Sequence, residues 1–341
     1  MNPRLFPPSE SHDRRAASAV PVAVASWLRQ AIGDDKMLAA QGIADIGIVA
    51  GAIIGALDGV VRAQERSAGV WRQRLALAAA AATVRQAGRT EDEAGLRDAL
   101  LLTRPGDDVG PAGRMALVWQ RLATRPADEL LGEASLAAML EGFGYASDGG
   151  LVAALADGGR RLAQLPGLTA RLSGAVALAG RCDCGPAVGA FIADALLARQ
   201  LGWEHALPLS GGQSFPGYHS GPRRRSGQSR GEPVKAVAGA DADEEMARKL
   251  LVAQARAALR AIDLAAMLER RAQKLLAVAP KLRAKASGVV VAKLLGEDAI
   301  IASQNIAGIS DRGLRRLFDR LIEFGAVREL TGRPTFRIYG L

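Results

Sequence analysis

The stretch that decides the C-terminal fold is SDRGLRRLFDRLIEFGAVRELTGRPTFRIYGL, residues 310–341. Its first half has a helical period, at about 100° per residue. One side of this helix collects the apolar residues Leu314, Leu317, Phe318 and Leu321. The opposite side collects the arginines Arg312, Arg315, Arg316 and Arg320. Because Ser310 can cap the start and Gly325 can end it, we expect an amphipathic helix that turns its guanidinium groups outward.

The second half of the stretch alternates in the way of a β-hairpin. AVREL (326–330) and TFRIYG (335–340) are the predicted strands, and TGRP (331–334) is the turn. Alternation places Phe336 and Ile338 on one face, with Arg337 and Tyr339 on the other. Arg333 lies near the tip of the turn.

Two further helices are predicted upstream, AKASGVVVAKLLGE (284–297) and AIIASQNIA (299–307), joined to the third by the turn GIS (308–310). Three helices and a hairpin in this order resemble the winged helix-turn-helix family. The resemblance implies contact with double-stranded DNA, with Arg312, Arg315 and Arg316 in the major groove and Arg333 on the backbone or in the minor groove. Arg320 and Arg337 complete the set of candidate DNA-binding residues.

Other interpretations of this module stay open. Winged helices also dock proteins or serve as structural caps. Asp319 and Glu323 could pair with the arginines at helical spacing. Residues 281–341 contain 11 basic and 6 acidic residues, a net charge of +5, which favours contact with phosphates.

The composition of the whole chain is typical of a helical protein that is attracted to polyanions. The chain has 341 residues and a formal net charge of +9, and 49% of its residues are hydrophobic but only 4% aromatic. Alanine and glycine supply much of the apolar content, which favours closely packed helices. We therefore expect a mostly α fold and attraction to nucleic acid or anionic lipid, although a GC-rich genome would produce a similar composition.

Five regions are predicted along the chain. They are a disordered N-terminus (1–13), an alanine-rich helical domain (14–209), a flexible basic linker (210–240), a connecting helix (241–280) and the winged helix-like domain (281–341). Within the helical domain, periodicity predicts helices at Ala16–Ile32, Met37–Glu65, Gly69–Ala87, Thr90–Leu102, Pro111–Ala123, Ala127–Gly142, Gly149–Leu165 and Pro186–Leu201. The connecting helix has an apolar stripe that could join two copies of the chain, so a homodimer is a further hypothesis.

Residues 43–61 form the most apolar stretch, with Gly47, Gly51 and Gly55 at the spacing by which membrane helices associate. Asp45 and Asp58 interrupt it, so an uninterrupted span of about 20 apolar residues is missing. We interpret this stretch as a buried core helix. Since the N-terminus also has no signal-peptide pattern, we expect a cytoplasmic protein without membrane association.

No catalytic site is predicted. The acidic region Gly88–Arg114 has the carboxylate density of a metal or acid–base site, but helix capping by Asp107 or Asp108 and local ion pairs explain it better. Cys182 and Cys184 have no partners at a zinc spacing. A Walker loop, a dinucleotide fingerprint and the HExxH and GxSxG motifs are all missing. We therefore expect no enzyme activity, no cofactor and no metal.

Three stretches together resemble one family: WRQRLALAAAAATVRQAGRTEDEAGLRDALLLTRPGDDVGPAGR (71–114), APKLRAK (279–285) and RRLFDRLIEFGAVRELTGRPTFRIYGL (315–341). They are similar to the bacterial proteins of domain-of-unknown-function family 1403, and the resemblance extends over most of the chain. This family implies no activity and no site. The C-terminal module therefore carries the functional prediction, which is DNA binding by a transcriptional or plasmid-associated regulator. The alternative is a non-enzymatic scaffold protein whose winged helix docks a protein partner.

Overall fold

A computed structural model describes residues 24–64, 66–104, 106–212, 237–282, 287–333 and 336–341, with the side chains of the fourth range described from residue 244. The predicted disordered N-terminus (1–13) lies outside the described residues. So does the arginine-rich part of the predicted linker, residues 213–236.

The described chain is mostly helical, as the sequence predicts. Its α-helices are α1 (Ser26–Gly33), α2 (Asp35–Ala40), α3 (Ile43–Ala63), α4 (Ala68–Gln86), α5 (Glu93–Leu102), α6 (Gly110–Thr124), α7 (Glu133–Gly142), α8 (Gly149–Ala163), α9 (Leu168–Arg181), α10 (Pro186–Leu201), α11 (Val237–Val278), α12 (Ser287–Gly296) and α13 (Asp311–Glu323). Three short strands, β1 (Ile300–Ile301), β2 (Arg328–Glu329) and β3 (Ile338–Gly340), form one antiparallel sheet. We call residues 24–282 the helical body and residues 287–341 the C-terminal module.

Three features of the helical body differ from the predicted helices. The helix predicted at Ala127–Gly142 begins only at Glu133, after turns at residues 127–131. The helix predicted at Met37–Glu65 is broken between Ala40 and Ile43, so that α2 and α3 are separate. Asp34 caps α2, because its Oδ1 accepts a hydrogen bond from the backbone N–H of Lys36 (2.8 Å). Helix α9 was not predicted, since its glycines and serine weaken the helical pattern of residues 168–181.

The longest helix, α11, belongs to the core of the helical body. Its apolar stripe packs mainly on α3 and also contacts α1, α4 and α9. Within this stripe Ala258, Leu268 and Leu275 are fully buried, and the indole N–H of Trp71 in α4 donates to the carbonyl of Ala261 (2.9 Å). The chain itself therefore covers the stripe that the sequence offered as a dimer interface.

Helix α3 is buried on one face and exposed on the other. Ile46, Ile53 and Leu57 are fully buried, whereas Ile48 is 68% exposed. Among the described helices, α3 alone is long and apolar enough to cross a membrane, a test that core helices of soluble proteins also pass. The face of α3 that packs on α11 is therefore buried, as expected for a core helix.

The predicted linker begins later than residue 210. Residues Ser210–Gly212 form a 3-10 turn in the core of the body. The buried carboxyl group of Asp194 accepts the backbone N–H of Ser210 through both oxygens (3.0 Å each), and the Ser210 hydroxyl donates to Oε1 of Gln254 (3.1 Å). A Cβ on Gly211 would lie 2.5 Å from the Trp119 ring. Only glycine fits this close approach.

The C-terminal module contains two helices and the sheet, with strand order β1-β3-β2. The predicted β-hairpin is confirmed, because β2 pairs with β3 through Arg328 and Gly340. The helix predicted at residues 299–307 is wrong. The β-branched Ile300 and Ile301 instead form β1 against β3, and turns follow them up to Gly308.

The predicted faces of the hairpin are also wrong in part. Tyr339 is 1% exposed and stacks on Phe318 of α13, with 4.2 Å between ring centroids, whereas Phe336 is 64% exposed and has a φ of 55°. Regular pairing begins only at Ile338, so the alternation does not extend back to Phe336. Since Ile338 is buried as well, both faces of the central strand β3 are covered.

Candidate functional site

Helix α13 has the sidedness that its sequence predicts. Its buried residues are Leu314, Leu317, Phe318 and Leu321. Its exposed arginines are Arg312, Arg315, Arg316 and Arg320. Ser310 caps the helix by accepting the backbone N–H of Gly313 (3.2 Å), and the left-handed Gly325 follows its end. The cap and the buried face fix which way the arginines point.

The arginines of α13 form no ion pair with a carboxylate in the part of the chain that the structure describes. Arg312, Arg315 and Arg316 form no ion pair there, and neither do Asp319 and Glu323 on the same helix. The Arg320 guanidinium lies over the Phe324 ring, 5.5 Å from its centroid. The predicted pairing of arginines with acids along the helix is therefore not observed. We call the exposed side of α13 its basic face, although Asp319 and Glu323 also lie on it.

The two hairpin arginines are placed differently. Arg333 forms an ion pair with Asp98 of α5, with 2.7 Å between Nη2 and Oδ2. Arg337 lies 3.9 Å from Glu329 (Nε to Oε2), and its hydrogen bond with Tyr339, helped by this carboxylate, raises the pKa of Arg337. The six predicted residues therefore divide into four on the basic face of α13 and two that are engaged by acids.

A buried carboxylate joins the C-terminal module to the helical body. Asp298, just before β1, accepts a hydrogen bond from Nε of Arg74 in α4 at one oxygen and from Nε of Arg97 in α5 at the other. The three side chains are only 12%, 13% and 10% exposed. Two cations on one buried carboxylate make a charge-assisted contact, which holds the segment before β1 on α4 and α5.

Close backbone contact adds to this junction. A Cβ on Gly69, in the first turn of α4, would lie 2.6 Å from the Cα of Gly296 at the end of α12. No side chain larger than hydrogen fits between these two helices without a shift. The position of α12, and through the sheet that of α13, therefore depends on this glycine contact as well as on Asp298.

The acidic stretch of residues 88–114 consists of helix caps and ion pairs, as interpreted from the sequence. Asp92 caps α5 by accepting the N–H of Gly95 (2.8 Å), and Asp108 accepts the N–H of Gly110 (3.0 Å) at the start of α6. Glu91 pairs with Arg89 (2.7 Å). Within the described ranges, no group of three or more His, Cys, Asp or Glu residues is arranged to hold a metal ion.

The two cysteines form a turn. The thiol of the buried Cys184 donates to the carbonyl of Cys182 (3.4 Å). Burial raises the pKa of Cys184 to about 11. This thiol is therefore protonated at neutral pH and is a poor nucleophile and a poor metal ligand.

The residues that anchor the C-terminal module were missed by the sequence analysis. Arg74, Arg97 and Asp298 come together from three separate segments, and none lies in a motif with a fixed spacing. The adjacent Asp98 lies within the acidic region Gly88–Arg114, where the sequence pattern assigned it no separate role. The sequence carries only a weak signal for this role. In the helical period of α5, Arg97 lies on the same side as the buried Leu96 and the partly buried Leu100, so it is expected to face the core.

The fold and this surface define a mostly helical protein with a small antiparallel sheet and an exposed basic helix near its C-terminus. Residues 10–341 match the family model described as Protein of unknown function (DUF1403), and the chain belongs to that family. This confirms the resemblance carried by the three sequence stretches. Comparisons with curated proteins and with solved structures gave no match.

Proposed function

We propose that this protein binds double-stranded DNA through the basic face of α13, in the manner of a transcriptional or plasmid-associated regulator. One observation carries the proposal: four arginines lie exposed on one side of a helix whose apolar side is buried. Exposed guanidinium groups that form no ion pair within the protein are attracted to phosphates, and an α-helix fits the major groove of B-DNA.

The spacing of these arginines suits a groove contact. Arg312, Arg316 and Arg320 are four residues apart, so successive side chains rise by about 6 Å on one side of the helix. Arg315 lies beside Arg316 and widens the row. Together they can contact phosphates on the groove edges, and a guanidinium that reaches a guanine can donate two parallel hydrogen bonds to it.

The topology of the C-terminal module supports a winged-helix assignment. A helix, a strand, the basic helix and a β-hairpin follow one another as α12, β1, α13, β2 and β3. The module departs from the winged-helix pattern at residues 302–309, where turns replace the expected second helix. Because α13 is held by its own buried leucines and by the stacking of Phe318 on Tyr339, the basic helix does not depend on that missing helix for its orientation.

Arg333 and Arg337 are not needed for this contact. The hairpin tip is held on α5 by the Arg333–Asp98 ion pair. Arg333 can therefore contact DNA only if this ion pair breaks. The proposal therefore assigns DNA binding to Arg312, Arg315, Arg316 and Arg320, with Arg333 and Arg337 in a secondary role.

Titration of fluorescent duplex DNA with the full chain, followed by anisotropy over a series of salt concentrations, tests this function. If the four arginines neutralise four phosphates, the logarithm of the association constant should fall with the logarithm of salt with a slope of about −3.6. Absence of binding at low salt would contradict the proposal and leave the docking of a protein partner as the alternative.

A further inference from the structure

A cavity of about 240 Å³ lies where the C-terminal module meets the helical body. Its walls come from α4, α5 and α6 on one side and from residues 297–299, between α12 and β1, on the other. This volume is slightly below the usual range for small-molecule sites, about 300–1,000 Å³. It suits a metabolite of roughly eight non-hydrogen atoms, judged against the ~30 Å³ that one water occupies in the liquid.

One side of the cavity is apolar. Leu77 of α4 and Leu100 and Leu101 of α5 line it. Leucine side chains offer no hydrogen bonds, so the part of a ligand that faces them should be aliphatic. This wall favours a ligand with a hydrocarbon side chain over a sugar or a phosphate.

The polar groups of the cavity include a buried cation. Arg97 is 8% exposed and uses its Nε to hold Asp298. Within the described residues its Nη groups donate no hydrogen bond, and since they are not among the buried polar atoms that lack a partner, they are accessible from the cavity. Accessible guanidinium nitrogens suit a carboxylate as a charge-assisted partner.

Besides Asp298, which Arg74 and Arg97 already hold, two amides and the carboxylate of Glu297 complete the polar lining. The side chains of Gln73 and Gln120 are partly buried and have no hydrogen-bond partner among the described side chains and backbone groups. Glu297 pairs with Lys293 through Oε1 (2.7 Å), which leaves its Oε2 for another donor. The cavity thus combines a guanidinium for an anionic group with a carboxylate for a cationic one.

We propose that this junction cavity binds a small zwitterion, namely an L-α-amino acid with an aliphatic side chain. Its carboxylate contacts Arg97 and the glutamine amides, its ammonium group contacts Glu297, and its side chain packs on the three leucines. Such a ligand touches both the helical body and the segment before β1. It therefore stabilises the docked position of the C-terminal module through ordinary binding linkage. This binding does not depend on whether α13 contacts DNA.

Thermal unfolding of the full chain with each aliphatic L-amino acid in millimolar excess tests the proposal. We expect at least one of leucine, isoleucine, valine and norvaline to raise Tm by about 2–4 °C. Two analogues of leucine serve as matched controls, 4-methylpentanoate without the ammonium group and 3-methylbutylamine without the carboxylate. We expect neither to raise Tm. Absence of a shift with all four amino acids, or equal shifts with the two analogues, would overturn the proposal.

Hydrogen–deuterium exchange locates the binding without any substitution. The bound amino acid should slow exchange in α5 and in residues 297–301, and leave the exchange of α8 unchanged. The double variant Gln73→Leu/Gln120→Leu keeps the approximate side-chain volume, removes both amides, and should abolish the Tm shift. Protection elsewhere in the chain, with none at residues 297–301, would place the ligand outside this cavity and refute the assignment.

Discussion

Arg333, in the turn between β2 and β3, forms an ion pair with Asp98 of α5 across the boundary between the C-terminal module and the helical body. The neighbouring residue Arg97 pairs with Asp298, just before β1. Two consecutive residues of α5, with opposite charges, therefore hold two separate parts of the module. This relationship determines how the module sits and which of its arginines remain free for another partner.

The Arg333–Asp98 pair should limit DNA binding slightly. Asp98→Asn releases the Arg333 guanidinium, so duplex affinity should rise, by at most about fivefold, because a partly exposed ion pair is worth up to ~1 kcal/mol. Anisotropy titration measures the change. Asp108→Asn, on the same body and with the same change of charge, should have a smaller effect, and Arg333→Ala should leave affinity nearly unchanged. Equal gains for the two aspartate variants would contradict a specific release of Arg333.

The carboxylate of Asp298 should contribute strongly to stability. Asp298→Asn leaves the buried Arg97 and the partly buried Arg74 without a counter-charge, and loss of one partner of a buried pair typically costs about 3–5 kcal/mol. Urea unfolding followed by circular dichroism measures this loss. The control is Asp263→Asn, which breaks the exposed pair with Arg29 and should cost less than about 1 kcal/mol. Similar losses of unfolding free energy for the two variants would show that the Asp298 contact stabilises the fold no more than an exposed ion pair does.

The contact between Gly69 and Gly296 should not tolerate a side chain. Gly69→Ala places a Cβ 2.6 Å from the Cα of Gly296, so α4 and α12 must separate, at a cost of about 1–3 kcal/mol. Thermal unfolding and limited proteolysis between α11 and α12 report the change. Gly47→Ala is the matched control, since a Cβ there meets nothing within 4 Å and should stabilise α3 by up to ~1 kcal/mol. If Gly69→Ala stabilises the chain as much as Gly47→Ala does, α4 and α12 do not approach as closely at Gly69 and Gly296 as described.

Asp194 should make stability depend on pH. Burial raises the pKa of Asp194 to about 8, although the hydrogen bonds from Ser210 act in the opposite direction. The folded chain thus keeps a proton that the unfolded chain releases near pH 3.8. The stabilising contribution of this proton is complete below about pH 4 and is lost as the pH rises to about 8.

The variant Asp194→Asn cannot ionise at this position. Its free energy of unfolding should therefore rise relative to that of the wild type between pH 5 and pH 8, by roughly 1 kcal/mol or more, and the difference should level off above pH 8. Urea unfolding at several pH values measures the difference. A difference that stays constant over this window would show that Asp194 is already ionised in the folded chain.

Local patterns predicted the parts of the structure that depend on local interactions. The sidedness of α13, its Ser310 cap and the capping of α6 by Asp108 each follow from residues within a few positions of one another. The strand at Ile300 and Ile301 was missed because it forms only against β3, almost forty residues later in the chain. The junction around Asp298 was missed for the same reason, since its partners are distant in sequence and exist only once the module has docked.

The central claim, that the basic face of α13 contacts DNA, is tested most directly by comparing two double variants of equal charge. Arg315→Ala/Arg316→Ala removes two exposed arginines of α13, and Arg160→Ala/Arg161→Ala removes two exposed arginines of α8. Anisotropy titration over a salt series should show that the α13 variant binds duplex DNA at least tenfold more weakly, with the salt slope reduced by about 2. The α8 variant should bind like the wild type. Equal affinities and slopes for the two variants would contradict the account.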